Sequence, residues 1–137
     1  MKVMNVIAVY DQTRQHILMC RRRKDPYKGK LNFVGGKLEP GESSEDAAYR
    51  ELQEETGITP KDIRLVHLMD MVYYTYHMTI EVYTGRLLRN VTVSGEENDL
   101  LWLAADEDFE DMHRFAGEGN IAHIIEMIRD DIENILI

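Results

Sequence analysis

Three glutamates, Glu51, Glu54 and Glu55, stand at i, i+3 and i+4 within GKLEPGESSEDAAYRELQEETGI, residues 36–58. In a helix of 3.6 residues per turn, all three project from one arc. Like charges at these spacings cost a helix roughly 0.2–0.5 kcal/mol per pair. Arg50 can relieve Glu54 across one turn, but one cation does not neutralise three anions. A hard divalent cation with oxygen ligands, Mg²⁺ above all and Mn²⁺ as a substitute, would remove the repulsion. The plain alternative is a solvated acidic helix face. Against it stand Gly35-Gly36 and Pro40-Gly41, a glycine-rich loop that brings bare backbone close to whatever the helix binds.

The element that must hold these carboxylates is a short, well-bounded helix. Ser43 or Ser44 caps its start, and Glu45 and Asp46 place negative charge in its first turn. Gly57 supplies a left-handed residue at its end, with Pro60 soon after. Ala48, Tyr49 and Leu52 form the apolar strip that would seat it on a core.

The same residues resemble a known family. Gly36, five residues, Glu42, seven residues, then Arg50-Glu51-Leu52-Gln53-Glu54-Glu55-Thr56-Gly57-Ile58 is similar, position by position, to the box of the Nudix hydrolases of MutT-like type. The resemblance implies an α/β (α+β) Nudix fold, a mixed β-sheet sandwiched between helices, with residues 1–137 as a single domain. It implies hydrolysis of a diphosphate bond in a nucleoside diphosphate linked to another group. Glu51, Glu54 and Glu55 would hold Mg²⁺ with the Gly36 carbonyl. A glutamate from the loop ahead of Trp102, Glu97 with Glu96 in reserve, would approach the metal. Either Glu51 or Glu97 would take the proton of the attacking water, while Arg50 and Glu42 orient the cluster. Arg21 or Arg22 stands where such proteins place an arginine for the phosphates, a task that suits a guanidinium fork.

For the base, Asn32 is a candidate by its amide and Asn120 by the same resemblance, each with a bland reading beside it: Asn32 can satisfy nearby backbone, and Asn120 can cap a helix. The substrate these suggest is a nucleoside triphosphate such as the oxidised purine 8-oxo-dGTP. ADP-ribose, a dinucleoside polyphosphate and an RNA 5′ end are the alternatives within enzymes. A nucleotide-sensing module or a cation-binding protein without turnover would retain the fold and lack the reaction.

Composition narrows the rest. The chain has 137 residues, 44% of them apolar, enough for one globular domain with its own core. A net charge of −9 argues against a duplex nucleic-acid partner, which needs a basic footprint. The single cysteine, Cys20, excludes an internal disulfide and reads as a buried thiol in a cytoplasmic protein, monomer or homodimer. No apolar run is long enough for a membrane helix, and the first ten residues lack a signal-peptide pattern.

In chain order the pattern predicts strands at 3–10 and 16–22, a basic loop at 21–30 with six basic residues, and a strand at 31–34. After the helix, strands are expected at 63–76, 78–84, 87–93 and 100–103. The tyrosines among them, Tyr73, Tyr74, Tyr76 and Tyr83, read as core or interface rather than as a stacking platform. A helical turn follows at 106–112. The last helix is expected at 120–135, with Ile121, Ile124, Ile125, Ile128, Ile132 and Ile135 as its core stripe.

Overall fold

The computed structural model describes all 137 residues. Strands β1 (Lys2–Tyr10), β2 (His16–Arg21), β3 (Leu31–Asn32), β4 (Val66–Tyr73), β5 (Met78–Arg86) and β6 (Asp99–Ala104) form one mixed sheet. Its order is β3-β2-β1-β5-β4, with β6 on the other edge of β2. The β1–β5 pair is parallel and in register over its whole length, from Lys2–Met78 to Tyr10–Arg86; the other pairs are antiparallel.

Side chains alternate across β1, so each face of the sheet buries its own core. Ile7 and Val9 pack with Ala48 and Leu52 of helix α1 (Ser44–Thr56) on one face. Ala8 and Tyr10 pack with Ile121, Ile124, Ile125 and Ile128 of α2 (Asn120–Asp130) on the other. The sheet is therefore sandwiched between helices, as the resemblance implies.

β1 and β2 share only the pairing of Tyr10 with Ile17, so the two strands splay apart beyond it. Residues 31–37 fill the notch. Leu31 and Asn32 pair with β2, then Val34 bridges to Ile7 and Lys37 to Met4. This crossing carries the Gly-Gly loop from one strand to the other and places it beneath α1.

Helix α1 begins and ends as its sequence dictates. The Ser43 hydroxyl accepts a hydrogen bond from the Asp46 N–H at 3.1 Å, and Gly57 at φ 81° closes the helix with its N–H on the Gln53 carbonyl.

Five expectations differ from the structure. The strand at 31–34 is reduced to β3, because after Asn32 the chain leaves β2 and crosses to β1. The strand at 63–76 is shortened to β4 because Tyr74–His77 form the turn into β5, where the His77 N–H meets the Tyr74 carbonyl. No strand forms at 87–93. Leu87 still bonds to Tyr10 and bridges Ile63, but β1 ends at Tyr10 and leaves later residues without a partner. Residues 106–112 form turns rather than helix, because the Asp108 and Asp111 carboxylates accept the N–H groups of Glu110 and His113. The last helix breaks at Asp131 (φ −142°) into α2 and a short α3 (Ile132–Ile135), whose isoleucines are not fully buried.

Candidate active site: a carboxylate pocket and an apolar pocket

The glutamates of α1 face the Gly-Gly loop across a cavity of about 330 Å³, lined by Gly36, Glu51, Glu54, Glu55, Glu96, Glu97, Asn98 and Leu100. The local chain explains how the backbone comes so close. A Cβ on Gly36 would fall on the Glu51 carboxylate, so any larger residue there must push that side chain aside. Gly36 is clamped by Asn5 of β1. The Asn5 N–H donates to the Gly36 carbonyl at 2.8 Å, and the Gly36 N–H donates to Asn5 Oδ1 at 3.0 Å. One carbonyl lone pair of Gly36 remains for a further partner. Asn5 lies outside the box pattern; an asparagine within an otherwise apolar strand is the signal that marks it.

Arg50 is the hub beside the cavity. Its Nε and one terminal nitrogen donate to both oxygens of Glu42, at 2.6 and 2.9 Å. The other terminal nitrogen donates to Glu51 at 3.0 Å and Glu54 at 3.1 Å. Glu42 is thereby occupied on both oxygens, and hydrogen bonding to Arg50 holds its carboxyl below the usual range. The same hydrogen bonds push the Arg50 pKa upward. Glu51 is raised despite Arg50, chiefly by burial.

Glu55 has no such partner. Burial and the nearby charges of Glu51 and Glu97 push its carboxyl up to about 7, against a backbone hydrogen bond from Gly35 and the attraction of Arg22. The cluster is thus short of positive charge and rich in hard oxygen donors, which suits a divalent cation such as Mg²⁺. His67, Asp70 and Glu81 also bring ligand atoms within 4.8 Å of one another on β4 and β5. There His67 already pairs with Asp70 at 2.6 Å, and Glu81 accepts from Ser44 at 2.8 Å.

The remaining sequence candidates fall around this centre. Arg22 acts electrostatically on Glu55, with its Nε on the Pro26 carbonyl at 2.8 Å. Arg21 points elsewhere, toward Gly29 and the charge of Asp99. Glu96 and Glu97 both line the cavity.

Asn32 and Asn120 meet in a second cavity of about 300 Å³, in which ten of the fourteen lining residues are apolar. The Asn32 side-chain oxygen accepts its neighbour Phe33's N–H at 2.8 Å. Asn120 does not cap α2. The N-cap is Gly119 at φ 93°, without a side-chain cap bond, and Asn120 Nδ2 instead donates to the Tyr73 hydroxyl at 2.5 Å.

Four further residues of this cavity stand outside the expected site: Tyr27, Tyr73, Tyr76 and Glu118. Tyr73 and Tyr76 line it, which departs from their expected role as plain core or interface. Tyr27 and Glu118 close its rim, the tyrosine hydroxyl lying 2.7 and 2.9 Å from the two carboxylate oxygens. Both have positive φ, 66° and 50°, a conformation uncommon outside glycine and concentrated at functional sites. No local sequence pattern announces a contact between residues 27 and 118.

Comparison with known proteins places this architecture. Residues 1–119 match the family model described as the NUDIX domain. The 8-oxo-dGTP diphosphatase of Escherichia coli is 33% identical over 112 residues, spanning 77% of this chain and 87% of that protein. The ADP-ribose pyrophosphatase of Methanocaldococcus jannaschii is 47% identical over 45 residues, spanning 33% of this chain and 27% of that protein. Among solved structures, an Ap4A hydrolase of C. elegans shares the fold with a TM-score of 0.78 at 15% identity, covering 98% of this chain and 99% of that one. The box, the sandwiched sheet and these matches together establish that the chain belongs to the Nudix hydrolase family.

Proposed function

We propose that the protein is a Mg²⁺-dependent pyrophosphohydrolase of nucleoside triphosphates, acting on a purine nucleotide such as 8-oxo-dGTP to give the monophosphate and pyrophosphate. The observation that carries this reading is the pairing of the two cavities along one segment. Asn32 and Phe33 line the apolar pocket, and Gly36, three or four residues on, lines the carboxylate pocket. Extended chain covers roughly 10–13 Å over that separation. A nucleotide lying along the segment sets its base among Phe33, Tyr73 and Asn120 and its phosphates before the glutamates. The apolar cavity is at the small end of the 300–1,000 Å³ common for ligand sites, which suits one base.

Glu51, Glu54 and Glu55, with the Gly36 carbonyl, are the residues that would hold the metal. When bound, Mg²⁺ screens the polyphosphate charge and acidifies a coordinated water. Glu97 projects from an exposed loop into the carboxylate pocket with no hydrogen bond of its own, so it is free to accept the proton of the attacking water. Glu51 is less free, because Arg50 already occupies one of its oxygens. Arg22 steadies the phosphates beside Glu55. Arg50 and Glu42 fix the rotamers of the ligating carboxylates.

The relatives' names span other substrates, ADP-ribose and Ap4A, so the second reading is a pyrophosphatase of one of these. A turnover screen with Mg²⁺ over purine triphosphates, 8-oxo-dGTP, ADP-ribose, dinucleoside polyphosphates and triphosphate-ended RNA separates them. Pyrophosphate release fastest from a purine triphosphate is the expected result. Preferential release of two monophosphates from ADP-ribose would overturn the substrate assignment.

A further inference from the structure

Arg23, next along the chain from Arg22, reaches the loop at residues 96–99. Its backbone N–H donates to the Asn98 side-chain oxygen at 3.1 Å. One guanidinium nitrogen donates to the Glu96 carbonyl at 3.0 Å, and another pairs with the Asp99 carboxylate. These contacts fall on residues 96, 98 and 99, the neighbours of Glu97 on both sides, and leave the Glu97 carboxylate itself unengaged. Elsewhere the loop is fixed only at its ends. The Ser94 N–H meets the Thr56 carbonyl at 3.1 Å, and Asp99 pairs with Arg21 in the sheet. Gly95 is pressed under the Asn98 carbonyl, too close for a Cβ, so the loop is tightly folded as well as tethered.

We propose that Arg23 is a positioning residue that holds the Glu97 carboxylate at the carboxylate pocket by clasping the loop on either side of it. The proposal rests on the reading of Glu97 given above. Arg23 and Asp99 have side chains 49% and 62% exposed, and ion pairs so exposed add little to stability. A clasp at the surface with little to offer the fold, made wholly to the flanks of one carboxylate, is explained by what it aims. Arginine suits the task because its planar fork serves two acceptors at once, whereas lysine presents a single point.

The test compares Arg23→Ala, Arg23→Lys, Glu97→Gln and the double variant Arg23→Ala/Glu97→Gln, by steady-state kinetics at saturating Mg²⁺ and by amide hydrogen exchange of residues 94–99. We expect Arg23→Ala to lower kcat by about ten- to a hundredfold, the scale of a misplaced catalytic group, with KM and Tm nearly unchanged. Arg23→Lys should recover part of the loss, and exchange across 94–99 should accelerate in the alanine variant. The double variant should be no slower than Glu97→Gln, since two changes acting through one group do not add. Additive losses, a rise in KM with kcat intact, a silent Glu97→Gln beside a slow Arg23→Ala, or unchanged exchange would each overturn the proposal. Absence of turnover in the unmodified protein would instead refute the functional reading, and the exchange measurement would still judge the clasp.

Discussion

The carboxylate pocket and the apolar pocket hang from the two ends of one short segment, residues 31–37, yet they are made of opposite materials. The first has a single apolar residue, Leu100, among its lining, and its glutamates compete for one arginine. The second is mostly Tyr, Met, Phe and Ile, with a few polar groups already bonded to each other, Asn120 to Tyr73 and Tyr27 to Glu118. Repulsion waiting for a cation suits a site that lowers a barrier. Apolar walls with a few directed hydrogen bonds suit a site that chooses among bases, because a wrong partner leaves a buried polar group unpaired. One region should therefore set the rate and the other the preference.

The sharpest way to break that division is at the ligands. Glu54→Gln and Glu55→Gln should each keep the fold and lower kcat by about two orders of magnitude or more, because losing a direct ligand costs at least what losing a supporting contact does. Near-normal turnover of either variant at limiting Mg²⁺, with the Tm measured alongside, would remove the metal assignment.

The two glycines provide the next contrast. Alanine at Gly36 drives a methyl into the movable Glu51 carboxylate, so activity should fall about tenfold or more while stability changes little. Alanine at Gly35, at φ 152°, strikes the Asn5 backbone, which cannot yield. That variant should lose more than about 1 kcal/mol in a denaturant titration. Equal losses of stability would show that the Gly36 contact is ordinary packing.

These contrasts track what could be read in advance. The carboxylate pocket was legible because a helix fixes its spacing locally: Glu51, Glu54 and Glu55 face one way whatever the rest of the chain does. Caps at Ser43 and Gly57 are equally local, and the Val- and Ile-rich strand β1 and the isoleucine stripe of α2 follow from patterns just as local. The apolar pocket was only half legible. Asn32 and Asn120 could be suspected one at a time, but their meeting with Tyr27, Tyr73 and Glu118 depends on contacts between distant residues. Strand ends at 73 and 86 depend on where the partner strand stops, and the break at Asp131 on one backbone angle. The Arg23 clasp was hidden in a run of three arginines, of which only Arg23 has its guanidinium hydrogen-bonded to the loop at 96–99.

A smaller effect sharpens the electrostatic side. With its carboxyl raised to about 7 by burial and neighbouring charge, metal-free Glu55 holds its proton more tightly folded than unfolded. It therefore opposes stability increasingly as pH rises from the ordinary glutamate range through 7, and bound Mg²⁺ should reverse that penalty. Calorimetry in buffers of different ionisation enthalpy should show about half a proton released per Mg²⁺ at pH 7 and almost none at pH 9. Equal release at both values would place the titrating group elsewhere.

The most direct measurement of the division of labour is kcat/KM for guanine, 8-oxoguanine and adenine triphosphates in the unmodified protein, Glu55→Gln and Asn120→Ala. The account predicts that Glu55→Gln lowers all three by a similar factor and preserves their ranking. Asn120→Ala should compress the ranking, with the preferred nucleotide losing most through KM. If Glu55→Gln instead reordered the bases, or Asn120→Ala lowered all three alike, the two pockets would not divide rate from choice.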